Sequence, residues 1–173
     1  MTLNMALAPM ALSATTFNAG DKVRVTVDFK YTVESDATVH LYACPYYTNI
    51  FGKHLVDSCV GRADITLAAT ATPLDKTATV DFTLVPKAQS GIEDGTYGLA
   101  VWVRTSVSTA DPWSLPKPTA VDNQDSVLLV SGNPSSSGGI GDTLTSIMPM
   151  LMMVMMMGMI MPMMQGMGGG SEE

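Results

Sequence analysis

The chain has 173 residues and carries 9 Lys+Arg against 16 Asp+Glu, a formal net charge of -7. One domain with an appendage fits that length, and a large multi-site enzyme does not. Its cations are scattered singly from Lys22 to Lys117 and only 6% of its residues are aromatic, so neither a phosphate-attracting field nor a base-stacking platform can be built, which excludes nucleic acid as a partner.

The first element expected is an edge strand. Residues 5–12 read MALAPMAL, but no Lys or Arg precedes Lys22 and Pro9 interrupts the apolar run, a pattern that suits a sheet edge better than a secretory signal. From about residue 13 to 131 the hydrophobic period is two. Val23, Val25, Val27, Phe29, Tyr31 and Val33 alternate with polar residues, the signature of a strand with one face in a core. Val39, Leu41 and Ala43 repeat the device, as do Ile65, Leu67 and Ala69. Val80, Phe82 and Leu84 follow, then Tyr97, Leu99, Val101 and Val103, and a last strand is expected over 126–130. Turn residues separate these runs, among them Gly20, Asp36, Pro73 and Gly95. No long amphipathic helical period intervenes, so the expected fold is mainly β, a single antiparallel β-sandwich of about seven strands over residues 1–130.

The run GDKVRVTVDF from Gly20 and the run IEDGTYGLAVWV from Ile92 resemble the B and F strands of immunoglobulin-like domains in bacterial, archaeal and viral surface proteins. The likeness covers about two thirds of the chain. It implies an immunoglobulin-like sandwich, and a tyrosine corner in which the Tyr97 hydroxyl returns to nearby backbone. It implies no particular activity, because that fold hosts many functions. Leu99 stands two residues after Tyr97, where the antibody pattern has a cysteine.

Cys44 and Cys59 flank a stretch, residues 45–58, that reads as a long hairpin-like excursion. A disulfide between them would close about fifteen residues and stabilise by about 3 kcal/mol in the chain-entropy model, with two free thiols as the alternative. Adding His40 and His54 makes a set of zinc-ligand types, but the spacing matches no zinc-finger pattern, and a strand histidine and a loop histidine are the simpler reading. Asp122 and Asp125 belong to DNQD, read as a turn rather than a calcium loop. Phosphate loops, nucleophile elbows and metalloprotease motifs are absent from the sequence, so no enzyme activity and no cofactor is expected. Trp102 lies out of phase with Val101 and Val103, which suggests a second buried face or an interface. Tyr46, Tyr47 and Trp113 are candidate partner contacts.

Residues 131–142 have the composition of a flexible Gly/Ser linker. Residues 147–164, IMPMLMMVMMMGMIMPMM, hold no charge, and no ionisable side chain occurs from Thr143 to Ser171. The pattern predicts one Met-rich apolar helix over 143–168, with Ile147, Met150, Leu151, Val154, Met157, Ile160, Met161 and Met164 as its membrane or packing positions, followed by an acidic tail at 169–173. Eighteen helical residues rise about 27 Å, close to a bilayer's ~30 Å, although Pro149, Gly158 and Pro162 interrupt them. Apolar on all sides, such a helix demands cover from lipid, from copies of itself or from another protein. Methionine adapts to irregular partners, and its thioether also admits Cu(I).

These features lead to the expectation of a non-enzymatic structural protein, a sandwich head tethered by its tail. The setting expected is a virion, as a spike, vertex or minor capsid component, associated with its own copies, other structural subunits or a lipid bilayer, with the head outside the membrane. A cell-surface adhesion module and a soft-metal binder are the competing expectations.

Overall fold

Residues 22–33 alternate so regularly that one face of the strand has no polar side chain wider than the Tyr31 hydroxyl, and this strand organises the first of two sheets. The computed structural model describes residues 2–8 and 10–133. Within them β4 (Lys22–Val33) pairs antiparallel with β8 (Thr70–Thr83) along one edge. Its other edge takes β1 (Leu3–Leu7) against Phe29–Val33 and β2 (Ala11–Leu12) against Val25 and Thr26. The first strand of the chain is therefore two short pieces laid end to end along β4.

The second sheet runs β3 (Thr16–Asn18), β10 (Ala120–Ser131), β9 (Gly95–Arg104), β5 (Ala37–Asn49). The far edge of β5 is shared: β7 (Gly61–Leu67) pairs with Ala37–Ala43, and β6 (Gly52–Leu55) pairs with Tyr46–Asn49. At the changeover Pro45 has no N–H to give. Its carbonyl accepts from Val56 N at 2.9 Å, and the 3-10 turn Asp57–Cys59 carries the chain from β6 to β7. All pairings in this sheet are antiparallel except β3 with β10, which is parallel.

The main core lies between the sheets. Val23, Val25, Val27 and Phe29 of β4 face Val39 and Leu41 of β5 and Leu99, Val101 and Val103 of β9, all buried. Each such side chain contributes about 1.5–3 kcal/mol relative to exposure, which makes this slab the main source of stability. On the outer face of β4, Arg24 stands directly opposite Asp81 on β8. Its Nε and Nη2 donate to Asp81 Oδ1 and Oδ2 at 2.8 and 2.9 Å, and Lys22 Nζ reaches Oδ2 at 3.0 Å.

The expected fold class needs correcting in three respects. Among the described residues ten strands form where about seven were expected, because the N-terminal segment breaks into three and residues 45–58 supply the end of β5 and all of β6. The sandwich is not wholly antiparallel, because β3 leaves the first sheet and joins β10. The C-terminal Met-rich helix is not among the elements: the described residues contain two 3-10 turns and no α-helix, and residues 143–168 lie outside them. Among the described residues no helix is long and apolar enough to cross a membrane.

The bonds from Arg24, and then from Lys22, hold the Asp81 carboxyl well below its ordinary value of 3.8. A lowered folded-state value means that this stabilisation is complete above the unfolded value and is lost as pH falls below it. Asp81→Asn is therefore expected to shrink the drop in urea midpoint between pH 6 and pH 2.5, and an unchanged drop would show that the cluster contributes nothing.

Candidate functional site

The outer face of the larger sheet carries a second apolar cluster. Tyr42, Cys44 and Tyr46 on β5 and Ala100 and Trp102 on β9 are all buried, with the Tyr42 and Trp102 rings stacked at 5.3 Å and 13°. Residues 105–119 fold back over them. Ser108 N donates to Tyr42 Oη at 2.9 Å, and Trp113 meets the Tyr46 ring edge-on at 5.2 Å. Arg104, only 5% exposed, secures this loop: Nη1 donates to Pro116 O at 2.8 Å, and Nη2 to Ala110 O at 3.0 Å and Asp111 O at 3.3 Å. Three carbonyl dipoles thus take the place of a carboxylate partner.

A polar latch closes one side of the cluster. The Tyr46 ring crosses β9 at Gly98, where a Cβ would lie 2.3 Å from the ring. Its hydroxyl donates to Asp125 and lies 3.4 Å from Asn123 Oδ1. Asp125 is brought there by an irregularity in β10 between Gln124 and Leu128, where Ser126 takes φ 57, a bulge that re-aims the strand. Lys53 Nζ donates to Tyr46 Oη at 3.0 Å, Asp125 Oδ1 at 3.2 Å and Asn123 Oδ1, and sits 4.6 Å from the Tyr46 ring centre. Bonds from Tyr46 and then Lys53 lower the Asp125 carboxyl, while burial, followed by the bond to Asp125, raises the Tyr46 hydroxyl. Burial opposes charge on Lys53, yet its bonds to Tyr46 and Asp125 together raise it. Tyr46, Lys53, Asn123 and Asp125 thus bond mainly to one another, which ties β5, β6 and β10 together.

The surface that remains open lies at one end of the sandwich. Tyr46 is level with Gly98 on β9, and Gly95 is level with Val130 on β10, so the β5–β6 turn projects at the end where β9 begins and β10 finishes. Ile50 and Phe51 at its apex are 93% and 83% exposed, and Tyr47 is 45% exposed. The turn is ordered: Phe51 N donates to Asn49 Oδ1 at 2.8 Å, His54 Nε2 meets the same oxygen at 3.0 Å, and Gly52 takes φ 116. Tyr47 and His54 stack at 5.4 Å. Beside the turn runs a groove of about 680 Å³ lined in part by Tyr47, Leu55, Val56, Ile92 and Tyr97. The Tyr97 hydroxyl donates to Glu93 O at 3.1 Å, and Asn133, the last described residue, donates to Asp94 at this same end.

Of the candidate contacts, Tyr46 is buried in the latch, Trp113 is half-buried against it, and Tyr47 is open. In the structure Cys44 and Cys59 are unbonded, and both are buried. They belong to different clusters, Cys44 to the outer one and Cys59 to the main core, and Cys44 Sγ lies 3.3 Å from the carbonyls of Pro45 and Val56. His40 Nδ1 pairs with Asp64 at 2.8 Å, away from His54. Among the described residues no group of three or more His, Cys, Asp or Glu is placed to hold a metal ion. Ile147, Met150, Leu151, Val154, Met157, Ile160, Met161 and Met164 lie outside the described residues. The sequence did not reveal Arg104, Lys53 or Gly98, whose roles depend on partners far along the chain; the isolated Gly inside the apolar run of β9 was the one available signal.

No protein-family model matches the chain, and no curated protein does. Solved structures give weak likenesses. The alkylpurine DNA glycosylase AlkC of Pseudomonas fluorescens, bound to DNA containing an abasic site analog, is 8% identical at a TM-score of 0.45, over 75% of this chain and 31% of that one. A β-glucosidase from Erythrobacter marinus is 10% identical at 0.41, over 75% and 16%. The Listeria innocua β-glucosidase in complex with gluconolactone is 18% identical at 0.39, over 76% and 16%. The chain thus spans less than a third of each, and at these TM-scores the likeness carries no argument about function.

Gly98→Ala is expected to cost about 1–3 kcal/mol in chemical denaturation, because the new methyl must displace the Tyr46 ring. In a Tyr46→Ala background the same change costs far less; equal costs in both backgrounds would mean that the ring does not lie across β9. Burial raises the pKa of both thiols, so a disulfide reagent at pH 8 is expected to titrate none rapidly in the native protein and two after unfolding, and rapid titration of either would contradict that burial.

Proposed function

We propose that this chain is a non-enzymatic structural subunit, a β-sandwich head that carries a methionine-rich apolar segment needing cover from neighbouring subunits or a bilayer. The observation that carries the reading is the uncharged stretch from Thr143 to Ser171, with twelve methionines between positions 148 and 167. So much uncharged, largely apolar sequence left in water promotes association, so it calls for cover. A particle assembled from many copies suits methionine, whose flexible side chain repacks against non-identical neighbours. A virion component is the setting that joins these properties, with the head outside any membrane. The resemblance of the strands around Val23 and Tyr97 to domains of surface proteins supports a display role, and the Tyr97 bond to Glu93 O is the contact that resemblance implies.

A second reading, a binding module at a cell surface, draws support from the exposed Tyr47, Ile50 and Phe51. The two share a head displayed by its tail and differ in what the head meets. Flotation with phosphatidylcholine vesicles, paired with light scattering, tests the shared part. The full chain is expected to float or to scatter as a multi-subunit particle, and Val154→Asp with Met157→Asp to leave a soluble monomer. A parent chain that is itself monomeric and remains at the bottom of the gradient would refute the proposal.

A further inference from the structure

Most apolar surface of the sandwich is covered by its own chain, including the outer cluster around Trp102. Other hydrophobes such as Leu115 and Leu129 are exposed singly, but Ile50 and Phe51 are exposed side by side on one turn, at the end where β10 finishes, and the forty residues after Asn133 contain the uncharged methionine run. We propose that the apex of the β5–β6 hairpin enters the headgroup–acyl boundary of a phospholipid bilayer. This deepens the function proposed above by choosing lipid as what the displayed end meets, and it rests on that reading for the tail.

Three features fit that occupant. The apex is one aliphatic and one aromatic side chain on a turn ordered by Asn49 and Gly52, so contact orders little that is not already ordered. Tyr47 lies three residues behind Ile50, about 10 Å back at strand spacing, and its ring stacks on His54. That is the depth at which amphipathic aromatics settle when apolar groups penetrate about 5–10 Å. The charges select the lipid. Lys53 is engaged in the latch, Lys87 is paired with Glu93 at 2.8 Å, and Asp94 adds a further acid at this end of a chain of net charge -7. Attraction to anionic headgroups is therefore not the driving force, and a zwitterionic surface is the fitting one.

The test uses full-length protein carrying Phe51→Trp. Position 51 packs against no core residue, so the fold tolerates the exchange, and Trp102 and Trp113 are subtracted with the parent spectrum. On phosphatidylcholine vesicles the introduced indole is expected to shift to the blue and to be quenched by lipids brominated high on the acyl chain, at low and high salt alike. Ile50→Ser in the same background lowers that quenching about tenfold at limiting lipid. A protein that floats while the indole keeps its aqueous spectrum overturns the hairpin contact and leaves the tail reading standing. A protein that does not float overturns the hairpin's contact with lipid, and it overturns the tail reading as well only if light scattering also shows a monomer. An indole already shifted before lipid is added shows cover by a second copy and overturns the lipid assignment.

Discussion

The architecture depends on two strands being buried on both faces. β5 and β9 lie side by side at the centre of the larger sheet, and over Tyr42–Tyr46 and Gly98–Arg104 neither face meets water. An antiparallel sheet usually leaves its outer face solvated, with polar residues alternating outward. Here the outward positions are Tyr42, Cys44, Tyr46, Ala100 and Trp102. That choice obliges the chain to supply a third layer, and the segment between β9 and β10 supplies it. The segment has no regular structure with which to satisfy its own backbone, so a buried guanidinium does this for three of its carbonyls. Arg104 is therefore a consequence of Trp102: bury an indole on the far side of a sheet, and the loop that covers it needs an internal donor.

The same constraint explains the latch. Tyr46 is too long to end within the apolar cluster, so its hydroxyl must emerge where partners exist. It does so across Gly98, onto the bulged part of β10, and Lys53 neutralises the carboxylate that meets it. An aromatic ring, a missing side chain and a bulge on three adjacent strands are thus one arrangement, which aligns the β5–β6 hairpin with the rest of the sheet. Outward charges elsewhere also pair, as Arg24 and Asp81 do across β4 and β8, and such exposed pairs add only modestly to stability.

Much of this was legible because period two is a local property. β4, the inner faces of β7 and β9 and the end of β8 at Val80 and Phe82 can be read straight from alternation, whereas Thr70–Thr79, with Pro73 read as a turn, could not; Trp102, out of phase, pointed to a second buried face or an interface, and it is the former. The part of β5 beyond Ala43 could not be read in that way. Its CPYYTN composition looks like a loop, and Tyr46 is buried only because residues 105–119 return from sixty positions later. The same dependence on distant chain hid the parallel pairing of β3, since an edge strand of three residues takes whichever sheet its neighbours leave open. A bridge between Cys44 and Cys59 was compatible with spacing, but the alternation of β5 sends Cys44 outward with Tyr42 and Tyr46 while Cys59 turns inward to the core. Of the candidate contacts, only Tyr47 kept the exposure its type suggested.

Two apolar surfaces outside the main core have been treated differently by the same chain. Around Trp102 a long loop, a buried cation and a polar clasp together exclude water. At Ile50 and Phe51, a few residues along the same strand, the chain spends an asparagine side chain and a positive-φ glycine on holding the apex in shape and nothing on covering it. Exposure alone would be unremarkable for a floppy loop, because single surface hydrophobes are common. An ordered apex is different, because fixing a turn carries an entropic cost that solvent does not return. In the lipid-contact proposal that compensation comes from burying Ile50 and Phe51 when the apex meets a bilayer.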